Sequence, residues 1–252
     1  MTTSVSGRGW QGAVMKLFNA DDFEITVTRT EAVTEHYLRL GFSGGGLLQK
    51  IPVHPTMWVR AWFEAGGSLH QRGYTLVDPD PESDTFDIEF ALHDGTAAHW
   101  AEQAEPGDVL PVTVMGSDFA IGDPAPAGWL IAGDTASLPA INSLLDALSA
   151  AGSPAPATLW LEYQHDSDRD LPLHRRPQDT VTWIPREREG ATLVETVRVA
   201  AESGMDTTGY RGWVALDSKS TRAVTGIFRS DFGLGRKGVK SMAYWKVGKA
   251  FA

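Results

Sequence analysis

The chain has 252 residues, enough for one large domain or for two domains of ordinary size. It contains no cysteine, which excludes thiol catalysis, disulfides, cysteine-ligated zinc and iron–sulfur clusters. A formal net charge of −10 argues against general nucleic-acid binding, and no apolar run has the length of a membrane span or the character of a signal peptide. We therefore expect a cytoplasmic protein that neither binds nucleic acid nor inserts into a membrane.

The first half of the chain has the alternating pattern of β-strands, after a polar, flexible tail over residues 1–19. Apolar and polar residues alternate at residues 23–27, 57–63 and 86–92, and residues 109–115 form another short apolar segment. Turns rich in glycine, proline and aspartate separate them, and one helix is predicted over Thr96–Gln103. The pattern predicts a small antiparallel β-barrel domain over residues 20–122.

A linker rich in proline and alanine, over residues 122–128, precedes a change of rhythm. Beyond it, short apolar strands alternate with amphipathic helices. Strands are predicted at residues 129–132, 158–163, 181–184 and 212–216, and helices at residues 137–150, 192–202 and 220–232. This alternation predicts a parallel sheet with helices on its faces, in a second domain over residues 128–252.

The first candidate ligand motif is Arg72-Gly73-Tyr74-Thr75, at the start of a predicted strand. An arginine can make a forked contact to a diphosphate, a tyrosine ring offers a flat face, and a threonine hydroxyl can donate a hydrogen bond. Taken alone, the tetrapeptide is better explained by an ordinary strand with an exposed arginine and a packed tyrosine.

A second motif, His93-Asp94-Gly95-Thr96-Ala97-Ala98-His99-Trp100-Ala101, opens the predicted helix of the first domain. Gly95 and the small residues after it let backbone amides approach an anion at a helix start. His93 can face a bound ligand, although a hydrogen-bonded strand histidine is the simpler interpretation. Trp100 can pack against the barrel or lie near an adenine ring.

The second domain carries a comparable turn, Gly133-Asp134-Thr135-Ala136-Ser137, between a buried strand and a helix. Such turns at the carboxyl end of a parallel sheet are where open α/β domains bind nucleotides. Thr135 and Ser137 can contact a diphosphate or simply cap the helix.

Polar residues lie at or after the ends of the next two predicted strands of this domain. Arg186 and Arg188 can bind a 2′-phosphate and Glu162 can meet a ribose, with a solvated face as the alternative for all three.

Lysines are concentrated near the C-terminus, although the chain as a whole is acidic. Five of the seven lysines lie there: Lys219, Lys237, Lys240, Lys246 and Lys249. A local basic patch of this kind suggests an anionic small ligand, whereas a solvated helix face is the simpler explanation for any single lysine.

Together these motifs resemble the siderophore-interacting protein family, which are FAD-dependent ferric-siderophore reductases of the ferredoxin-reductase type. The resemblance is strongest at Arg72–Thr75, Gly133–Ala140 and Tyr244–Gly248. It implies an FAD-binding β-barrel followed by an NAD(P)H-binding α/β domain whose C-terminal segment contacts the flavin side.

The resemblance also implies roles for individual residues. It identifies as cofactor-binding Arg72, Gly73, Tyr74, Thr75, His93, Gly95, Thr96, Ala97, Ala98, Trp100, Gly133, Asp134, Thr135, Ser137 and Trp245. It implies a basic triad of Lys246, Arg229 and Lys240 that binds the anionic ferric siderophore, and no resident metal site.

Three positions depart from the family pattern: Val77 replaces an arginine, Thr96 a proline, and Leu216-Asp217 a Gly-Glu pair. Three functions therefore stay open. The first is ferric-siderophore reduction, with NADPH, NADH or a ferredoxin as electron donor. The second is another flavin reductase of the same fold, acting on a quinone, a free flavin or a redox protein. The third is a non-catalytic protein that binds flavin or siderophore.

Overall fold

The computed structural model describes residues 21–114 and 117–247. The predicted tail over residues 1–19 lies outside the described residues, as do Gly248 and Lys249 at the C-terminal motif. The chain divides into two compact units between Phe119 and Ala120. No helix within the described ranges is both long and apolar enough to cross a membrane.

The first unit is a seven-stranded antiparallel sheet, curled into a half-barrel, with the strand order β4-β3-β7-β1-β2-β6-β5. Its strands are β1 (Asp21–Thr34), β2 (Tyr37–Ser43), β3 (Trp58–Ala65), β4 (Ser68–Thr75), β5 (Val77–Asp80), β6 (Thr85–Ala91) and β7 (Val109–Val114). Its helices are the short α1 (Leu47–Lys50) and α2 (Thr96–Gln103). The predicted bounds of α2 are confirmed. The helix ends at Gln103, shortly before Pro106-Gly107.

Alternation along β3 and β6 places their apolar side chains in the core of the first unit, as predicted. The inward residues of β3 and β6 are almost fully buried: Val59, Ala61, Phe63, Phe86, Ile88 and Phe90. The polar residues between them on β6, Asp87 and Glu89, are also buried, because Arg29 and Arg39 from β1 and β2 cover them with ion pairs.

The hairpin of β3 and β4 turns on Gly66-Gly67, both with positive φ, between the paired residues Ala65 and Ser68. Two glycines suit a tight hairpin turn of this length, since each adopts positive φ without steric cost. The strand β4 therefore begins right after the turn and ends at Thr75. The motif Arg72–Thr75 thus lies at the end of its strand, and the prediction that it lies at the start was wrong.

The second unit is a five-stranded parallel sheet in the order β10-β9-β8-β11-β12. Its strands are β8 (Gly128–Asp134), β9 (Ala157–Tyr163), β10 (Thr180–Pro185), β11 (Tyr210–Ala215) and β12 (Val239–Ser241). Its helices are α3 (Leu138–Ala150), α4 (Ala191–Glu202) and α5 (Ser218–Ser230), besides short 3-10 turns at Asp166–Asp170 and Arg188–Gly190. The predicted order of an antiparallel β unit followed by a parallel α/β unit is confirmed.

Candidate functional site

An aromatic cluster joins the two candidate motifs of the first unit. The ring of Tyr74, at the end of β4, lies 4.5 Å from that of Phe90 and 6.0 Å from that of Phe63. Trp100, on α2, packs edge-on against Phe63 at 5.5 Å and against Phe90 at 6.3 Å. The strand motif and the helix motif are therefore neighbours, and Trp100 packs against the sheet.

Arg72 and Tyr74 project from the same face of β4, and Thr75 from the other, because side chains alternate along a strand. Arg72 Nη1 donates to the carbonyl oxygen of Gln71 at 2.6 Å and has no ion pair with a carboxylate among the described residues. Burial raises the pKa of Tyr74, which keeps its hydroxyl protonated. A cation and an aromatic ring thus stand side by side at the end of β4.

The start of α2 has the features of an anion-binding terminus. Gly95 is its extended N-cap, no side chain caps the helix, and its first turn contains no acidic residue. A Cβ atom at this position would lie 2.3 Å from Cε1 of His93, so any other residue would displace that ring. Ala97 and Ala98 are buried, so the first turn lies against the sheet.

His93 is exposed and lies beyond the end of β6 at Ala91. The interpretation of His93 as a hydrogen-bonded strand histidine was therefore wrong. Its ring instead packs over Gly95, which leaves the residue beside the start of α2.

In the second unit, the turn Gly133–Ser137 is closed by its own hydrogen bonds. The hydroxyl of Ser137 accepts from the amide of Asp134 at 2.9 Å and donates to the carbonyl oxygen of Asp134 at 3.0 Å. The interpretation of Ser137 as a side-chain cap was wrong: Ser137 occupies the N-cap position of α3, but its hydroxyl is used within the turn. At Gly133 a Cβ atom would lie 2.4 Å from Oγ of Ser137, so glycine allows this close approach.

Charged residues gather where the strands of the second unit end. Arg186, directly after β10, forms an ion pair with Glu162 of β9 and lies 3.4 Å from Oδ2 of Asp217, which follows β11. The guanidinium of Arg186 also stacks 4.5 Å over the indole ring of Trp245. The indole nitrogen of Trp245 donates to Oδ2 of Asp134 at 2.7 Å. We call these five residues the edge cluster.

The edge cluster contains three carboxylates and one guanidinium, all largely buried. Burial raises the pKa of Asp134 to about 6, although hydrogen bonds from Trp245 and Ser137 oppose the shift. Burial also raises the pKa of Glu162 to about 7, against the nearby charge of Arg186. The Oε1 atom of Glu162 is buried and has no hydrogen-bond partner among the described residues. Burial thus favours the protonated forms of Asp134 and Glu162 relative to the same groups in water.

The predicted basic triad is spread over the second unit. Lys246 is exposed and follows Trp245, whose carbonyl oxygen accepts from the amide of Ser218 at the start of α5. Arg229 lies near the other end of α5, about 16 Å along the helix axis from Ser218. Lys240 lies on β12, opposite Trp213 of β11. The structure does not bring the main chains of these three residues together, and only Lys246 adjoins the edge cluster.

Two family models match the chain in succession. The siderophore-interacting FAD-binding domain matches residues 23–117, and the siderophore-interacting protein model matches residues 126–248.

The chain belongs to the siderophore-interacting protein family.

The curated relatives include the mycobactin import ATP-binding/permease protein IrtA of Mycolicibacterium smegmatis, which is 34% identical over 96% of this chain. The chain spans only 28% of that relative's length. Among solved structures, the siderophore-interacting protein from Acinetobacter baumannii matches with a TM-score of 0.77 and 18% identity, over 92% of each chain. The ferredoxin-NADP+ reductase from Plasmodium falciparum with 2'P-AMP matches with a TM-score of 0.64 and 8% identity, over 89% of this chain and 97% of that one. The fold is therefore ferredoxin-reductase-like, as the resemblance implied.

The residues of the first unit fit the FAD that the family model names. FAD presents a diphosphate and a flat ring system. Within the part of the chain that the structure describes, the motifs present an arginine without a carboxylate partner, an uncapped helix start and a cluster of aromatic rings. This donor set contains no acidic residue in the first turn of α2 that would repel the diphosphate.

The sequence motifs of this family member did not reveal the edge cluster as a unit. Glu162 and Arg186 were considered separately as ligands of a nucleotide, yet in the structure they pair with each other. Their position was the available signal. Glu162 lies near the end of β9 and Arg186 directly after β10, and the carboxyl ends of neighbouring parallel strands share one edge of the sheet.

Proposed function

We propose that this chain is an FAD-dependent reductase of ferric siderophores, with NADH or NADPH as the electron donor and the cytoplasm as its compartment. The observation that carries the proposal is the aromatic cluster, which sets the Arg72–Tyr74 motif beside the uncapped start of α2. The relatives named for mycobactin import support a siderophore as the ligand.

In the first unit, Arg72 and the amides at the start of α2 would hold the diphosphate of FAD. Tyr74 would lie against the ring system, and Thr75 would donate a hydrogen bond at its reactive edge. Bound FAD supplies the ability to accept hydride and to pass on single electrons. The side chains orient the ring and neutralise the diphosphate, because an arginine and a helix start both favour negative charge.

In the second unit, the turn Gly133–Ser137 would lie against the nicotinamide nucleotide, with Asp134 and Thr135 at its centre. Lys246 would bind the ferric siderophore, since its ammonium group is exposed and attracts the anionic oxygen ligands that surround Fe(III). Reduction of Fe(III) to Fe(II) weakens its bonds to hard oxygen ligands, which releases the iron.

The test of this function compares two chelates in turnover. The FAD-loaded protein should reduce an anionic ferric triscatecholate with NADH or NADPH. Lys246→Ala should raise the KM for this anionic chelate by about tenfold, which corresponds to one charge-assisted contact, and should change the KM for a neutral ferric trihydroxamate much less. Lys50→Ala, which removes an exposed lysine from the first unit, is the matched control.

Quinone reduction separates the alternative flavin reductase from the proposed one. If the protein reduces a benzoquinone but neither ferric chelate, the substrate assignment is wrong while the flavin assignment stands. If it binds FAD but NADH and NADPH both fail to reduce it, the chain is a binding protein or takes its electrons from a redox-protein partner such as a ferredoxin.

A further inference from the structure

The segment that carries Lys246 is fixed along the edge of β11 by its backbone. The amide of Met242 donates to the carbonyl oxygen of Val214 at 3.0 Å, and the amide of Tyr244 donates to the carbonyl oxygen of Leu216 at 2.9 Å. The amide of Ser218 donates back to the carbonyl oxygen of Trp245 at 2.9 Å. This ladder brings Trp245 to the carboxyl edge of the sheet, beside Asp217.

The indole of Trp245 is then held at its edge and on its face. Its nitrogen donates to Asp134, in the turn Gly133–Ser137, and its ring lies under the guanidinium of Arg186. Both partners are themselves fixed: Ser137 binds the backbone of Asp134, and Glu162 and Asp217 bind Arg186. The position of Trp245 thus depends on the charge and hydrogen bonding of Asp134.

We propose that Trp245 is a positioning residue that couples the turn Gly133–Ser137 to Lys246, so that nicotinamide nucleotide and ferric chelate bind with linked affinities. The coupling rests on the proposed function, in which the turn binds the nucleotide and Lys246 the chelate. A nucleotide diphosphate near the turn changes the electrostatic surroundings of Asp134, and the indole hydrogen bond passes that change to the residue that precedes Lys246. Linkage requires the effect to be reciprocal.

The direct readout of this coupling is the indole N–H resonance of Trp245 in a ¹H–¹⁵N spectrum of the ¹⁵N-labelled protein. Trp245→Phe removes that resonance and so assigns it, while its ring still fits under Arg186. We expect the resonance to shift in Asp134→Asn and on saturation of the wild type with NADH. A resonance that stays in place when NADH binds would overturn the coupling.

A binding cycle measures the size of the coupling without turnover. The Kd of NADH is determined by calorimetry with and without the gallium(III) complex of a triscatecholate siderophore, which is anionic and inert to reduction. In the wild type we expect the chelate to change the Kd of NADH by about fivefold or more, a typical allosteric factor. In Trp245→Phe this factor should fall towards one.

Turnover distinguishes failure of the coupling from failure of the proposed function. Lys246→Ala should raise the chelate KM about tenfold in the wild type but only a few-fold in Trp245→Phe, because mutations within one interaction network are not additive. Equal effects in both backgrounds would refute the coupling and leave the function intact. No effect of Lys246→Ala in the wild type would refute the coupling and exclude Lys246 from the chelate site, whereas reduction of the ferric chelate by the wild type would still support the proposed function. If Trp245→Phe fails to fold by thermal melting, Asp134→Asn replaces it in the cycle.

Discussion

The ring centroid of Tyr74 lies 4.5 Å from that of Phe90, with the two rings inclined by 42°. Phe90 belongs to the buried core of the first unit, so this contact anchors the end of β4 to β6. The contact fixes Tyr74. It thereby also fixes the direction in which Arg72 projects, because both side chains lie on the same face of β4. A rigid aromatic support for a cation is what a preorganised diphosphate site requires.

Arg72→Ala is predicted to weaken FAD binding about 10- to 100-fold, since hydrogen bonds between charged groups are worth about 1.5–3 kcal/mol. Arg72→Lys should recover only part of the loss, because lysine lacks the planar fork of arginine. Fluorescence titration of FAD into the cofactor-free protein measures both variants. Arg198→Ala, which removes an exposed arginine from α4, is the control and should bind FAD like the wild type. Equal affinity in Arg72→Ala would exclude Arg72 from the site.

Gly190→Ala is predicted to destabilise the second unit by about 2–4 kcal/mol, through crowding and backbone strain together. Gly190 has a φ of +85°, and a Cβ atom there would lie 2.5 Å from Oγ of Ser220 and 3.2 Å from Oε1 of Glu162. Gly204→Ala separates the two causes, since Gly204 has a φ of +74° but no atom within 4 Å of its Cβ position. Urea denaturation should show a loss of about 1 kcal/mol for Gly204→Ala. Equal losses in the two variants would mean that Ser220 and Glu162 move away from the added methyl group without a measurable cost in stability.

Glu162→Gln is predicted to change how stability depends on pH. Because burial raises the pKa of Glu162 from 4.5 to about 7, the folded state holds this proton more tightly than the unfolded state. The stability from this proton is fully present below pH 4.5 and is lost as the pH rises through about 7. As the pH rises from 4.5 to 8, the free energy of unfolding of the wild type should therefore fall by about 3 kcal/mol more than that of Glu162→Gln.

Glutamine and a protonated glutamate differ in packing and hydrogen bonding by an amount that does not depend on pH, so the comparison uses the slope with pH. Glu195→Gln, at an exposed position of α4, should parallel the wild type throughout. Parallel curves for Glu162→Gln would show that Glu162 titrates alike in both states.

Asp179→Asn is predicted to destabilise the second unit by about 3–5 kcal/mol, because it leaves the charge of Arg176 buried and uncompensated. Asp179 accepts two hydrogen bonds from the Arg176 guanidinium, at 2.8 and 3.0 Å, and one from the amide of Ala157 at the start of β9. Chemical denaturation checks the loss against Asp206→Asn, an exposed aspartate in a local turn, which should unfold like the wild type. A mild effect at Asp179 would mean that water reaches Arg176.

The sequence could predict the segments in which polarity alternates regularly or in which glycine and proline mark the ends. The bounds of α2 were predicted to the residue, because small residues and a following Pro-Gly define both ends. The strand β12 and the helix α1 were missed, since three or four residues carry no measurable period. The start of β4 was missed because Leu69, His70 and Gln71 do not alternate in polarity as a half-buried strand does.

The features that the sequence did not predict depend on contacts between residues far apart in the chain. The burial of Asp87 depends on Arg29 in another strand, and the position of Trp245 depends on Asp134 in the first strand of its sheet. Sequence patterns report the face on which a residue lies, whereas such pairs depend on how the strands are ordered. For the same reason the motifs did not predict which charges neutralise one another.

The central claim is that this family member transfers electrons from a nicotinamide nucleotide through FAD to a ferric siderophore. Anaerobic spectroscopy of the FAD-loaded protein tests it most directly, through the flavin band near about 450 nm that belongs to the cofactor itself. NADH or NADPH should bleach this band, and addition of the ferric triscatecholate should restore it as Fe(II) appears. If neither nucleotide bleaches the band, or if the ferric chelate does not restore the bleached band, the chain is not a nicotinamide-dependent reductase of ferric siderophores.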